Sequence, residues 1–123
     1  MFDLGDYYTR QEVHALIGGS VQSYLPTVKK RVVAGFFNPA FDPDAPRIVL
    51  AGRGPIIEGT ADQLTRQADA VPTFVKRRVN CWEYVGRYRV VRQTYDQAEI
   101  LPYARKANRV GDVTSVLFLQ SAD

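Results

Sequence analysis

The sequence is poor in the residues that most often carry out chemistry. It has one cysteine, Cys81, and one histidine, His14, so a single chain assembles neither a disulfide, nor a CxxC zinc site, nor a cluster of histidine ligands. A Cys/His nucleophilic pair would need these two residues, yet His14 lies in a predicted helix and Cys81 beside an aromatic strand, far apart in sequence. Serine hydrolase chemistry would also route through His14, and there is no GxSxG turn. Cys81 reads as a small hydrophobe and His14 as a helix-flank residue. The sequence argues against an enzyme and implies no metal and no cofactor.

Long apolar runs are missing too. None approaches the roughly 20 residues needed to cross a bilayer. The opening Met1-Phe2-Asp3-Leu4-Gly5-Asp6 is acidic where a secretory signal would be basic and then apolar. A cytoplasmic location without a membrane partner is expected. There is no low-complexity tract, and 123 residues with 46% hydrophobic and 24% charged side chains suit one domain, residues 1–123, with a single core.

What is present is arginine. The net charge is only +3, but twelve of the sixteen basic residues are arginines. They gather with lysines at Lys29-Lys30-Arg31, Lys76-Arg77-Arg78 and Arg87 through Arg92, while acids collect at Asp42/Asp44 and Asp62/Asp69. Arginine's planar fork of donors matches phosphate oxygens and base edges, so this clustering leans toward nucleic acid. Solvated strand and loop faces explain it equally well on charge alone.

Local signals outline the elements. Thr9-Arg10-Gln11-Glu12 is a capping box, Val13, Leu16 and Ile17 give the following helix an apolar face, and Gly18-Gly19 stops it. Strands are predicted at Arg31–Phe37 and Arg47–Ala51, joined by the shaped, proline-rich loop Asn38–Pro46. A second helix is predicted over Thr60–Ala68 with Thr60 as its cap. Pro72–Val79 reads as a strand, and Cys81–Val85 is expected to pair with Arg87–Arg92 across Gly86. In that last run the arginines Arg87 and Arg89 alternate with Tyr88 and Val90, marking a wet and a buried face. A third helix from Ala98 through Ala104 to Ala107, with Pro102 near its start, and a closing strand Val113–Leu119 complete the chain. The elements do not repeat as β-α-β-α, so the expected class is α+β, a curved, mixed, mostly antiparallel sheet or small barrel with about three flanking helices.

Three segments carry candidate recognition residues. Gly18 through Pro26 contains Ser20, Gln22 and Tyr24, where glycines clear space and the Gln22 amide offers both donors and acceptors, though a helix cap and connecting loop explains it as well. Gly35-Phe36-Phe37-Asn38, followed by Phe41-Asp42-Pro43-Asp44, sets rings beside short carboxylates. These are the parts of a pocket for an extruded base, with core packing and turn capping as the commoner use. Leu50-Ala51-Gly52-Arg53-Gly54 closes a strand with a glycine turn able to bring Arg53 to one phosphate, though it is neither a Walker loop nor a Rossmann fingerprint.

In order along the chain, these pieces resemble the SRA family of modified-base readers, particularly the SRA domains of McrA-like HNH restriction proteins. The likeness rests on Gly18-Gly19-Ser20-Val21-Gln22 after the first helix, the aromatic and acidic loop Phe36 through Asp44, the Gly52-Arg53-Gly54 turn, and Trp82-Glu83-Tyr84-Val85-Gly86-Arg87-Tyr88-Arg89-Val90-Val91. It spans roughly residues 9–119. The resemblance implies a PUA-like fold and a binding activity: a modified cytosine, such as 5-methylcytosine or 5-hydroxymethylcytosine, extruded from duplex DNA, stacked between rings and read by an aspartate. Phe36 or Phe37 would match the first ring and Asp42 or Asp44 the aspartate. Leu50 stands where the family usually has a tyrosine, so the second ring would either be missing or come from Trp82 or Tyr24. Backbone phosphates would meet Arg53, Lys76, Arg77, Arg78 and Arg87. With no HNH pattern, cutting DNA would fall to a separate nuclease subunit. Two other readings stay open: an RNA-binding PUA/ASCH-type domain, and a small nucleotide-acting enzyme using Asp42 or Asp44 with Arg53.

Overall fold

The computed structural model describes residues 1–123. The first helix, α1 (Arg10–Ile17), follows a two-residue strand β1 (Tyr7–Tyr8). Its capping box forms as read: the Thr9 hydroxyl accepts the Glu12 amide at 3.1 Å, and the Glu12 carboxylate accepts the Thr9 amide at 2.8 Å. Gly18 and Gly19, both at positive φ, end it.

The run Arg31–Phe37 is broken rather than continuous. Its first part, β3 (Arg31–Val32), pairs with β2 (Thr27–Val28) in a hairpin turned by Lys29 and Lys30 at positive φ, and its second, β4 (Gly35–Phe37), joins the main sheet. After the proline-rich loop comes β5 (Ile48–Ala51). The second helix, α2 (Pro55–Gln67), starts earlier than Thr60. Pro55 occupies the first helical position, where its missing N–H is no loss, and the Glu58 carboxylate accepts the Gly54 amide at 2.9 Å. Thr60 sits inside the helix, its hydroxyl donating back to the Ile56 carbonyl at 3.0 Å.

A larger departure concerns Gly86. Cys81–Val85 and Arg87–Arg92 do not pair with each other; both belong to one strand of 14 residues, β7 (Cys81–Thr94). Gly86, at φ +111, makes a bulge there, so that Thr73 pairs with Gly86 and Phe74 with Tyr84, leaving Val85 unmatched. One glycine bends a strand but does not reverse it. The hairpin turn lies upstream at Val79-Asn80, between β6 (Val71–Arg78) and β7. The alternation on β7 holds, with Arg87 and Arg89 exposed and Val90 buried. Asp96 caps α3 (Gln97–Lys106) by accepting the Ala98 amide, Pro102 is accommodated inside it, and β8 (Ser115–Ser121) closes the chain.

The main sheet runs β4-β6-β7-β8-β5, with β1 added to β7. The β4–β6 pair is parallel and every other pair antiparallel, which is the mixed, curled α+β sheet with three helices that the pattern predicts. Alternation of side chains distributes the core over both faces. Phe37, Val49, Ala51, Val90, Leu117 and Leu119 pack with Ala61 and Leu64 of α2. On other patches Phe36, Phe74, Trp82 and Tyr84 pack with Val13 of α1, and Leu50 and Val116 with Ile100 and Ala104 of α3.

Candidate functional site

The segment between α1 and β4 and the loop after β4 line two adjoining clefts, of about 540 Å³ and about 400 Å³. Gln22, Tyr24, Phe41 and Asp42 border both. Each is placed by local chemistry. The Ser20 hydroxyl accepts the amides of Gln22 and Ser23 at 3.0 and 3.2 Å, folding a tight turn that presents Gln22. The Tyr24 hydroxyl donates to the Ile57 carbonyl of α2 at 2.6 Å, and burial pushes its ionisation up to about 12. In the loop, the Asn38 carbonyl accepts the amides of both Phe41 and Asp42 at 2.9 Å. This turn leaves Phe41 59% exposed at the rim and Asp42 only 6% exposed beneath it.

Asp42 is the electrostatic centre. Its Oδ1 accepts the Leu50 amide at 2.9 Å and the Arg109 guanidinium at 3.3 Å. Oδ2 accepts neither and is not sealed from the cleft. Burial raises its carboxyl from the ordinary 3.8 to about 6, against the opposing pull of the Leu50 amide and the Arg109 charge. Arg109 is itself held by the carbonyls of Phe41 and Leu50 at 3.1 and 3.3 Å. Room for it comes from Gly52, where a β-carbon would lie 3.2 Å from its guanidinium.

Of the sequence candidates, Gln22, Tyr24, Asp42, Leu50 and Arg53 line the larger cleft, and Phe36, Asn38, Lys76 and Trp82 the smaller. Three of the base-pocket candidates reach neither. Phe37 points to the sheet face opposite Phe36 and is buried in the core against α2. Asp44 faces outward to the Lys106 ammonium at 2.7 Å. Ser20 shapes the turn instead of lining a cleft. Among the basic residues, Arg53 donates to the Gly111 carbonyl at 2.8 Å. Arg77 is paired with Glu83 at 2.8 Å and Arg87 lies 3.9 Å from Asp123, while Arg78 reaches only the Cys81 sulfur at 3.7 Å.

Sequence reasoning missed Arg109, Arg10 and the role of Phe41. Arg109 sits in the turn after α3, where no motif marked it; Arg10 read only as part of a capping box; Phe41 read only as part of its loop. The free histidine and cysteine stay out of both clefts, His14 bonding the Gly19 carbonyl.

Comparison with known proteins fixes the fold. The crystal structure of the SUVH5 SRA domain in complex with hemi-methylated CG DNA superposes with a TM-score of 0.65 at 15% identity, covering 98% of this chain and 88% of that one. The Type IV phosphorothioation-dependent restriction endonuclease ScoMcrA superposes with a TM-score of 0.54 at 12% identity. That match covers 97% of this chain but only 26% of the enzyme. The architecture is therefore SRA-like, the PUA-like curved sheet that the motifs implied. No curated protein matches the sequence significantly. A family profile described as Domain of unknown function (DUF6697) matches residues 7–109, most of the chain, and it is to this family that the protein belongs.

Proposed function

We propose that the chain is a non-catalytic reader of modified duplex DNA, which takes an extruded base into the larger cleft against Asp42. The observation that carries this reading is the Asp42 carboxylate: buried, clamped through one oxygen and leaving the other open to a cleft of about 540 Å³. A carboxylate acceptor suits the exocyclic amine of cytosine, and a 5-substituted cytosine is the base of choice. Phe41 and Tyr24, which line that cleft, are the proposed stacking rings, with Leu50 as an apolar wall. Arg53, Lys76 and Arg78 are the proposed phosphate contacts, with Arg77 and Arg87 contributing less because each faces a carboxylate. The likeness to an SRA domain bound to hemi-methylated DNA and to a restriction endonuclease supports the reading, and a separate nuclease is the partner it calls for.

Fluorescence anisotropy tests it. Matched duplexes containing cytosine, 5-methylcytosine, 5-hydroxymethylcytosine, its glucosylated form or a phosphorothioate linkage are compared with single-stranded RNA at near-physiological salt. One base-modified duplex is expected to bind at least about tenfold tighter than plain DNA, a difference of ~1.4 kcal/mol. Equal, salt-sensitive binding to all of them, a preference for RNA, or a preference for the phosphorothioate alone overturns the base-reading assignment.

A further inference from the structure

The smaller cleft has a character of its own. Arg10, at the start of α1, is 7% exposed and has no carboxylate within ion-pair distance. Its guanidinium stacks on the Phe36 ring, 3.7 Å from the centroid, with the Trp82 ring 5.6 Å away. One terminal nitrogen donates to the carbonyls of Ser20 and Ser23, both at 2.8 Å. The other terminal nitrogen and Nε have no partner in the chain, and neither is sealed from solvent. Burial lowers its ionisation to about 10, so it remains charged at neutral pH.

A second cation joins it. The Lys76 ammonium lies 5.9 Å from the Trp82 ring on the same cleft and pairs with no acid. The indole N–H of Trp82, in the wall between them, is enclosed and lacks an acceptor. Asn38, Asn80 and Gln22 add amide groups to the lining. Asp42, the one carboxylate there, is held by Arg109 on the side of the larger cleft. Two cations without counter-ions, Arg10 fixed by its carbonyl partners and the Phe36 ring and Lys76 beside Trp82, leave in a cleft of about 400 Å³ an excess of positive potential that an oxyanion would satisfy.

We propose that Arg10 and Lys76 form a phosphate subsite, which takes the phosphate of the nucleotide whose base occupies the neighbouring Asp42 cleft. The shared border of Gln22, Tyr24, Phe41 and Asp42 makes the two clefts adjacent compartments for one nucleotide. The link to a base rests on the function proposed above; the phosphate site itself does not.

Trp82 is the only tryptophan, so its indole N–H resonance reports occupancy of this cleft directly. Inorganic phosphate, titrated at ionic strength held constant with chloride, is expected to shift that resonance saturably. Lys76→Ala should weaken the titration about tenfold, the loss expected for one charge-assisted contact. Arg10→Lys, which keeps the charge but loses the flat fork and its stacking, should weaken it as well. Deoxycytidine 5′-monophosphate should bind tighter than deoxycytidine, and Lys76→Ala should erase that difference. A matching loss on a short duplex identifies a strand phosphate as the source, and a loss confined to the monophosphate identifies a free nucleotide. No saturable shift, or one unchanged in Lys76→Ala, overturns the subsite even if modified duplexes are preferred. A Lys76-dependent phosphate titration upholds it even if duplexes are not discriminated and the base reading fails.

Discussion

The Arg109 guanidinium meets the Asp42 carboxylate at 3.3 Å although the two residues lie 67 positions apart in the chain. The pair is shielded, with side chains 15% and 8% exposed, and Arg109 also ties down the carbonyls of Phe41 and Leu50. It therefore joins the loop after β4, the end of β5 and the turn after α3.

Removing the cation leaves a buried carboxylate without its partner. Arg109→Met is expected to cost about 3 kcal/mol of folding stability, measured by denaturant unfolding. The double variant Asp42→Asn/Arg109→Met should lose clearly less than the sum of the two single changes, because the orphaned charge is gone. Simple additivity would show that the pair is not coupled.

The two loop aspartates should separate. Asp42→Asn keeps an oxygen for the Leu50 amide but removes the charge facing the cleft, and should abolish discrimination between modified and plain duplexes while leaving general affinity within about threefold. Asp44→Asn breaks only the half-exposed contact with Lys106 and should leave discrimination intact. Anisotropy on the same duplex set reads both, and a loss in Asp44→Asn alone would move the base contact to the other carboxylate.

Asp42 also sets a pH dependence with a definite sign. Its carboxyl ionises at about 6 in the folded protein against an ordinary 3.8, so between these values the folded state holds more protons than the unfolded one. Stability from this group is greatest below the window and falls as pH rises through it, by about 3 kcal/mol in all. Subtracting the Asp42→Asn profile from that of the wild type isolates the contribution. Base recognition should run the other way, weakening below about pH 6 as the acceptor is protonated.

Backbone binding should depend on which arginines lack acids. Arg78→Ala or Arg53→Ala is expected to lower the salt slope of duplex binding by about 1. Arg77→Ala should lower it less, since Glu83 already sits 2.8 Å from that guanidinium. Slopes from anisotropy at a series of salt concentrations decide it; equal effects would mean that the ion pair opens on DNA.

Local chemistry in the sequence reached as far as local structure does. The α1 boundaries follow from Thr9, Glu12 and Gly18, residues within about three turns of each other. The start of α2 was hidden because Gly-Pro reads as a turn, while its proline suits a first helical position equally well. The aromatic and acidic loop pointed to the site, but the choice of Asp42 over Asp44 rests on Arg109 and Lys106, partners far along the chain. Phe36 and Phe37 differ only in which sheet face they occupy, and one step along a strand reverses the face. Arg10 was legible as part of a cap; its freedom from carboxylates is a fact of packing.

The continuous strand β7 pairs with β1, β6 and β8 along its length. Tyr7 meets Glu83 and Ile48 meets Phe118, so these contacts close long loops before any gain is realised. Such a topology favours slow folding in which the ends of the chain and its middle become ordered together. Amides on both sides of Gly86 should exchange with solvent through one shared opening, making the central strand a single cooperative unit that also carries Trp82 into the wall of the smaller cleft.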